Sequence, residues 1–376
     1  MPDFIVEVPE PEFYECPECG ADYEYEGEAL SCCAVDDWGP GPFDGEVHHL
    51  PALPDPVYLV GVPAIWRRPA RLTSIEQEVV FGGASAARTL ESYGLSQYSQ
   101  IVDHSDDGVA QSVVVKEDGS LPDEGGEFVY SRFDLSQKSQ AENLSEILCR
   151  VRQMKEARII GSGDSAGVHI HISAKAQDGS CIGPGEMANL HELFCHLEDM
   201  LYAFAAAGWQ QHRLDTEYSN DDGYCKVLPK HDEDEKPTVA KTYQLMRYDR
   251  YYGLNFQRLF EGVRSCTCGA CSMGAWSECD CGSLKRATVE WRLFNSSTKP
   301  ETLHAWLLIA HAITAYASQH RLGSLKPTTI RTGTSESRWE QLEWVLRKCP
   351  FTDKEREIVR DTARRAPGFG QVSESY

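Results

Sequence analysis

The sequence predicts an α+β domain built on an antiparallel sheet with helices on one side. Three observations carry this. Five strand-length runs rich in Val, Ile and Phe alternate with period two. Most are separated by turns or by one long helix. The chain's 376 residues, 41% hydrophobic and 25% charged, can fill a substantial core, enough for one large domain with appendages or for two.

Taken in order, residues 1–60 are rich in Pro, Glu and Gly and form a zinc-ribbon-like segment. Strands are expected at 72–81, 111–115, 127–133, 168–173 and 287–294, and helices at 84–93, 137–156, 186–207 and 301–319. In the helix from 186, Met187, Leu190, Leu193, Phe194, Leu197, Met200, Leu201 and Phe204 fall on one face. These elements make a catalytic domain over 68–325, interrupted by a Cys-rich insertion at 264–284 and followed by a helical tail at 326–376 with helices at 336–347 and 353–364. The run KHDEDEK at 230–236 reads as a solvated loop. There is no internal repeat.

Charge and apolar patterning remove several classes. With 36 Lys+Arg against 58 Asp+Glu the net charge is −22, which repels phosphate backbones and excludes nucleic acid as the main partner. The longest apolar stretch, 304–317, carries two His and is too short to span a bilayer, so no membrane partner is expected. The N-terminus is acidic and broken by Pro, unlike an export signal, and the Cys are clustered. Together these predict a cytoplasmic, reducing location.

Charge on the strands is the informative feature. Glu76 and Glu78 are two apart within a strand, so both carboxylates project from one face. His169 and His171 repeat the pattern, as do Glu290 and Arg292, and Glu127 opens another strand after Gly125-Gly126. Singly, these read as a polar edge, a core histidine and an ion pair. Four strands turning acid, imidazole or guanidinium to one face are costly to bury without cations and a polyanionic ligand. The face is therefore expected to hold divalent cations between carboxylates, with Arg available for phosphate.

The Glu-x-Glu, Gly-x-His-x-His and Glu-x-Arg strands, in that order, resemble the glutamine synthetase fold, and more closely its amidoligase branch of carboxylate–amine ligases. Gly119-Ser120-Leu121 through Gly126-Glu127 is similar to that family's aspartate-glycine-serine-leucine segment and glycine-glutamate strand. Val289-Glu290-Trp291-Arg292-Leu293-Phe294-Asn295 resembles its glutamate-aromatic-arginine signature, and an apolar helix follows it as in the family. The likeness spans roughly 70–320 as an ordered series of motifs. It implies an ATP-dependent ligase in which Glu76, Glu78, Glu127, His169 and Glu290 hold two or three Mg²⁺ (or Mn²⁺) that bridge the nucleotide phosphates. It implies that His171 faces the nucleotide or reacting carboxylate, and that Arg292 binds the γ-phosphoryl group. Arg250, in Arg250-Tyr251-Tyr252-Gly253-Leu254-Asn255, is a candidate for carboxylate or phosphate recognition. Glu124 stands as an alternative to Glu127. Carboxylate and amine substrates, whether small molecule, peptide or protein, are the implied partners.

No Walker-type loop is present. Gly161-Ser162-Gly163-Asp164-Ser165-Ala166 matches a dinucleotide fingerprint only superficially, because it leads into a strand. The chain has 14 Cys. Cys266, Cys268, Cys271, Cys279 and Cys281 lie between Gly turns at a density that suits tetrahedral structural Zn²⁺, with Cys225 as a further ligand candidate. Cys16, Cys19, Cys32 and Cys33 resemble half of a second zinc site, with His48 or His49 as alternatives. Such sites stabilise appendages with little core of their own. Two other readings stay open: a zinc-stabilised interaction protein on the same fold without turnover, and a phosphotransferase.

Overall fold

Period-two alternation becomes a six-stranded, wholly antiparallel sheet. The computed structural model describes residues 14–15, 22–23, 47–53, 71–95, 113–116, 125–130, 132–135, 137–161, 166–176, 181–206, 228–229, 238–246, 252–264, 287–320, 333–349 and 351–370. Contacts divide the chain into two units, Met1–Asp44 and Gly45–Tyr376. In the first, β1 (Tyr14–Glu15) pairs antiparallel with β2 (Asp22–Tyr23).

The second unit runs β3 (Arg71–Val79), α1 (Gly83–Ser92), β4 (Val113–Lys116), β5 (Gly126–Tyr130), α2 (Lys138–Glu156), β6 (Gly167–Ala176) and α3 (Pro184–Ala205). It continues with α4 (Val239–Met246), β7 (Leu254–Asn255), α5 (Gln257–Arg264), β8 (Thr288–Asn295), α6 (Pro300–Ser318), α7 (Ser335–Lys348), α8 (Asp353–Arg365) and a 3₁₀ turn (Pro367–Phe369). The strands lie in the order β4-β5-β3-β6-β8-β7. Among the described residues no helix is long and apolar enough to cross a membrane.

Local chemistry explains the boundaries. β3 is expected to reach residue 81 but stops at Val79, because Gly82 turns the chain with φ 80°. A Cβ at Gly82 would stand 1.9 Å from the Ile159 carbonyl oxygen, so only glycine fits this turn. α3 and α6 each start with Pro in the first turn, where its missing N–H costs nothing. α8 opens with a capping box: Thr352 N–H donates to the Glu355 carboxylate at 2.6 Å and Glu355 N–H to the Thr352 hydroxyl at 3.3 Å.

The core lies on one face of the sheet. Ile170, Ile172, Val289 and Trp291 are fully buried there, under α3 and α6. Register exposes one irregularity: Val168 pairs with Phe294 and Ile170 with Trp291, so β8 has one residue more than β6 between these pairs. The bulge turns Trp291 and Phe294 to the same face. Trp291 meets Phe194 of α3 at 5.5 Å, and Phe294 stacks on Trp306 of α6 at 5.0 Å. The helices of 336–347 and 353–364 form as α7 and α8 and bury Leu342, Val345, Leu346 and Val359, with Phe369 behind them.

Helices do not all share the core face. One residue separates β7 from α5, so α5 is held beside β8 while Gln257, Arg258 and Glu261 line a cleft with residues of the opposite face.

Candidate functional site

On that opposite face the strand register lines up the ionisable residues. Glu78 pairs across strands with Glu127, Glu76 with His169, and His171 with Glu290, whose other neighbour is Asn255. Directly paired residues share a face, so the three Glu-x-Glu, His-x-His and Glu-x-Arg strands deliver their side chains to one basin.

The contacts are close. His169 Nδ1 lies 3.3 Å from Glu76 Oε2 and 3.6 Å from Glu290 Oε1, and its Nε2 is 3.8 Å from Glu78 Oε1. His171 Nε2 is 3.1 Å from Glu76 Oε2 and 4.0 Å from Glu290 Oε1. Arg292 donates to Glu290 Oε1 at 2.5 Å, while Asn255 donates to the other carboxylate oxygen at 3.0 Å. Glu78 accepts from the Gly167 N–H at 2.5 Å, which fixes it at the start of β6.

Burial and charge work against each other here. Burial alone would raise the Glu76 carboxyl, yet His171 and His169 hold it well below the usual carboxylate range. Burial likewise opposes ionisation of Glu290, but His171, Arg292 and His169 outweigh it and the pKa is lowered. For His171 burial favours the neutral ring, and Glu76 followed by Glu290 overcomes it and raises the pKa.

Two groups have the compactness of cation sites: Glu76 with His171 and Glu290, and Glu76 with Glu127 and His169. In each, one ligand atom per residue lies within 4.8 Å of the others, and Glu76 is common to both. The donors fit a divalent cation on a further count. His171 Nε2 is buried and, although close to Glu76, makes no hydrogen bond of acceptable angle, leaving a lone pair or proton directed at the basin. Glu78 falls outside both groups.

A small cleft of about 110 Å³, open to solvent, extends from this basin toward the β7 edge. Its walls include Glu76, His171, Glu290 and Arg292 on one side and Asn255, Gln257, Arg258 and Glu261 on the other. The expected residues Glu76, Glu78, Glu127, His169, His171, Glu290 and Arg292 are thus brought together. Arg250, Glu124, Cys225 and all nine clustered cysteines lie outside the described residues. His48 and His49 sit in a segment tied to α1 through the His48 N–H and the Thr89 hydroxyl at 3.1 Å. The sequence reading passed over Asn255, Gln257, Arg258 and Glu261 as site residues. Asn255 left one signal, an Asx turn in which its side chain accepts from the Gln257 N–H at 2.8 Å.

No family model matches the chain, and no curated protein matches it. A solved structure described as a novel glutamine synthase homolog is similar with a TM-score of 0.39 and 12% identity, over 80% of this chain. The present chain spans 66% of that structure's length, and a likeness at this level decides neither fold family nor activity.

Proposed function

We propose that the chain is an ATP-dependent carboxylate–amine ligase of the glutamine synthetase-like amidoligase type, joining the two substrates through an acyl phosphate. One observation carries the reading. Glu76, Glu78, His169, His171, Glu290 and Arg292 come from three strands distant in sequence and converge on one buried basin. Carboxylates at this density need cations, and a cation-filled basin beside a guanidinium suits a polyphosphate.

Mg²⁺ or Mn²⁺ would be held by Glu76, His171 and Glu290, and a second ion by Glu76, Glu127 and His169. The imidazole in each set favours Mn²⁺ over Mg²⁺ on donor grounds. When bound, the cations offset phosphate charge and polarise the transferring phosphoryl group. The chain's own residues do the rest. His171 and Arg292 keep Glu290 ionised, Asn255 fixes its orientation, and the Arg292 guanidinium would lie beside the γ-phosphoryl group.

In the reaction a carboxylate oxygen attacks the γ-phosphorus and ADP leaves. The amine then attacks the acyl carbon, the carbon–oxygen bond to phosphate breaks, and the amine's proton passes to a base. The products are an amide, ADP and phosphate. Structural Zn²⁺ in the Cys16–Cys33 and Cys266–Cys281 groups belongs to the same proposal, tested by metal analysis of the purified chain.

With ATP, Mg²⁺ or Mn²⁺ and panels of carboxylates and amines, ADP and phosphate should appear in step with an amide. Glu76→Gln and Glu290→Gln should each lower ADP release by about 100-fold or more. Unchanged ADP release in either variant overturns the reading, and a stable phosphorylated product without amide replaces it with phosphoryl transfer.

A further inference from the structure

The core side of β3 carries one side chain that packing does not call for. Gln77 sits between Glu76 and Glu78 but faces the opposite way, in line with Ile75 and Val79, and all three are buried. An apolar residue would fill that place, whereas an amide there is costly unless each end finds a partner. Both ends do. Its Nε2 donates to the Ser297 carbonyl at 2.6 Å, and its Oε1 accepts from the Tyr130 hydroxyl at 2.5 Å. The Ser297 carbonyl can only accept, which settles which end of the amide is nitrogen and makes Tyr130 the donor. Burial pushes the Tyr130 phenol up, so it keeps that proton.

The two bonds run outward from β3 in opposite directions. Tyr130 belongs to β5, three residues after Glu127, and Ser297 lies two residues past the end of β8. Asn295, the last residue of β8, pairs with Gly167, whose N–H holds Glu78. The amide therefore ties β5 and the β8 terminus to β3 behind the end of the basin where Glu78 and Glu127 stand. That end needs a tie. Glu78 and Glu127 are paired directly across β3 and β5, and like charges opposite one another disfavour pairing. Four residue pairs join these strands, and Lys116 stands opposite Glu127 only on the β4 side. Glu76 is held by the longer β3–β6 ladder, in which the Gln77 amide takes no part. Glu290 lies five residues before the end of β8, away from the amide.

We propose that Gln77 is a positioning residue for one cation alone. By clamping β5 and the end of β8 to β3 from the core side, its amide holds Glu127 beside Glu76 and His169 against the Glu78–Glu127 repulsion. The group of Glu76, His171 and Glu290 does not depend on it. This rests on the two-cation reading of the basin, and not on which reaction the cations serve.

The test uses the full chain without nucleotide, titrated with Mn²⁺ while the free ion is followed by electron paramagnetic resonance. Wild type should bind two ions, assigned by Glu127→Gln, which weakens one, and Glu290→Gln, which weakens the other. Gln77→Met keeps the length without the amide and should weaken the Glu127-dependent ion by about 10-fold. Tyr130→Phe removes one hydroxyl and should weaken the same ion by about 3-fold or more. In both variants the Glu290-dependent ion should stay within about twofold. A purely structural role would lower Tm and leave both affinities unchanged; that result overturns the assignment, as does an equal loss of both ions. Should Gln77→Met not fold, Tyr130→Phe decides alone. A wild type that binds fewer than two ions overturns the two-cation reading and this assignment together. Selective loss of one ion in the variants, with no ADP release from any carboxylate and amine, leaves this assignment standing and overturns the ligase reading.

Discussion

Two pairs of histidines lie on opposite faces of the same sheet. His169 and His171 stand on β6 among carboxylates, and His304 and His311 stand on α6 with cations as their charged neighbours. Burial is alike, at 7% exposed for each of the first pair and 4% and 5% for the second. The outcomes differ. His171 is raised because Glu76 and Glu290 outweigh burial. His304 is pushed down to about 4 by burial, with Lys354 of α8 adding to it, and His311 is lowered by burial and by Arg71. Neighbouring charge, and not depth, decides whether a buried imidazole carries a proton. One face is tuned for ions; the other is a core that tolerates neutral rings, His311 being hydrogen-bonded to Thr73.

The largest expected effect breaks the core face. Trp306→Ala removes the ring stacked on Phe294 and the indole N–H bond to the Phe204 carbonyl, and should cost about 3–5 kcal/mol in urea unfolding. Glu76→Gln on the other face should cost less than that without added cation, because it removes the His171 and His169 contacts that hold the carboxylate ionised but opens no cavity. Equal costs would make the two faces the same kind of structure.

Cation binding should stabilise only the ionic face. Mn²⁺ at 100 times its dissociation constant should add about 2.7 kcal/mol to the wild type, read as a rise in Tm, and little to Glu290→Gln. An equal rise in both would move the cation away from Glu290.

A smaller effect sharpens the histidine comparison. His304 is neutral in both states above about pH 6.5, where its contribution is complete. As pH falls toward 4 the unfolded chain takes up a proton first, so stability is lost, by about 2 kcal/mol at pH 5. His304→Gln should remove that part of the acid slope, with the groups near it, Lys354 above all, unchanged. The smallest effect is at the surface. Arg360→Gln breaks a two-pronged pair with Glu343, at 2.7 and 2.9 Å, that is about one-third exposed and should cost less than about 1 kcal/mol.

Most of the sheet was readable because its chemistry repeats at i and i+2. Glu76/Glu78, His169/His171 and Glu290/Arg292 announce strands and face at once, and the register adds only which residue meets which. α3 was readable from its apolar face and α6 from the apolar stretch over 304–317, while α7 and α8 stood out as two short polar helices of the tail. β7 and α5 were not. Two residues of strand carry no period, and eight residues of helix carry barely two turns, so beyond the Arg250–Asn255 stretch picked out for Arg250 the sequence marked neither β7 nor Arg258. The bulge in β8 was also silent, since pairing against β6 and not local composition creates it.

That surplus residue in β8 governs how far the strand can be edited. Removing Leu293 would bring the strand back into step with its neighbour and keep Trp291 and Phe294 on the oily side. One residue added between Glu290 and Trp291, where the strands are already in step, would instead force one of these two through the sheet to the wrong layer. The strand therefore tolerates a residue lost at the bulge better than one gained beside it.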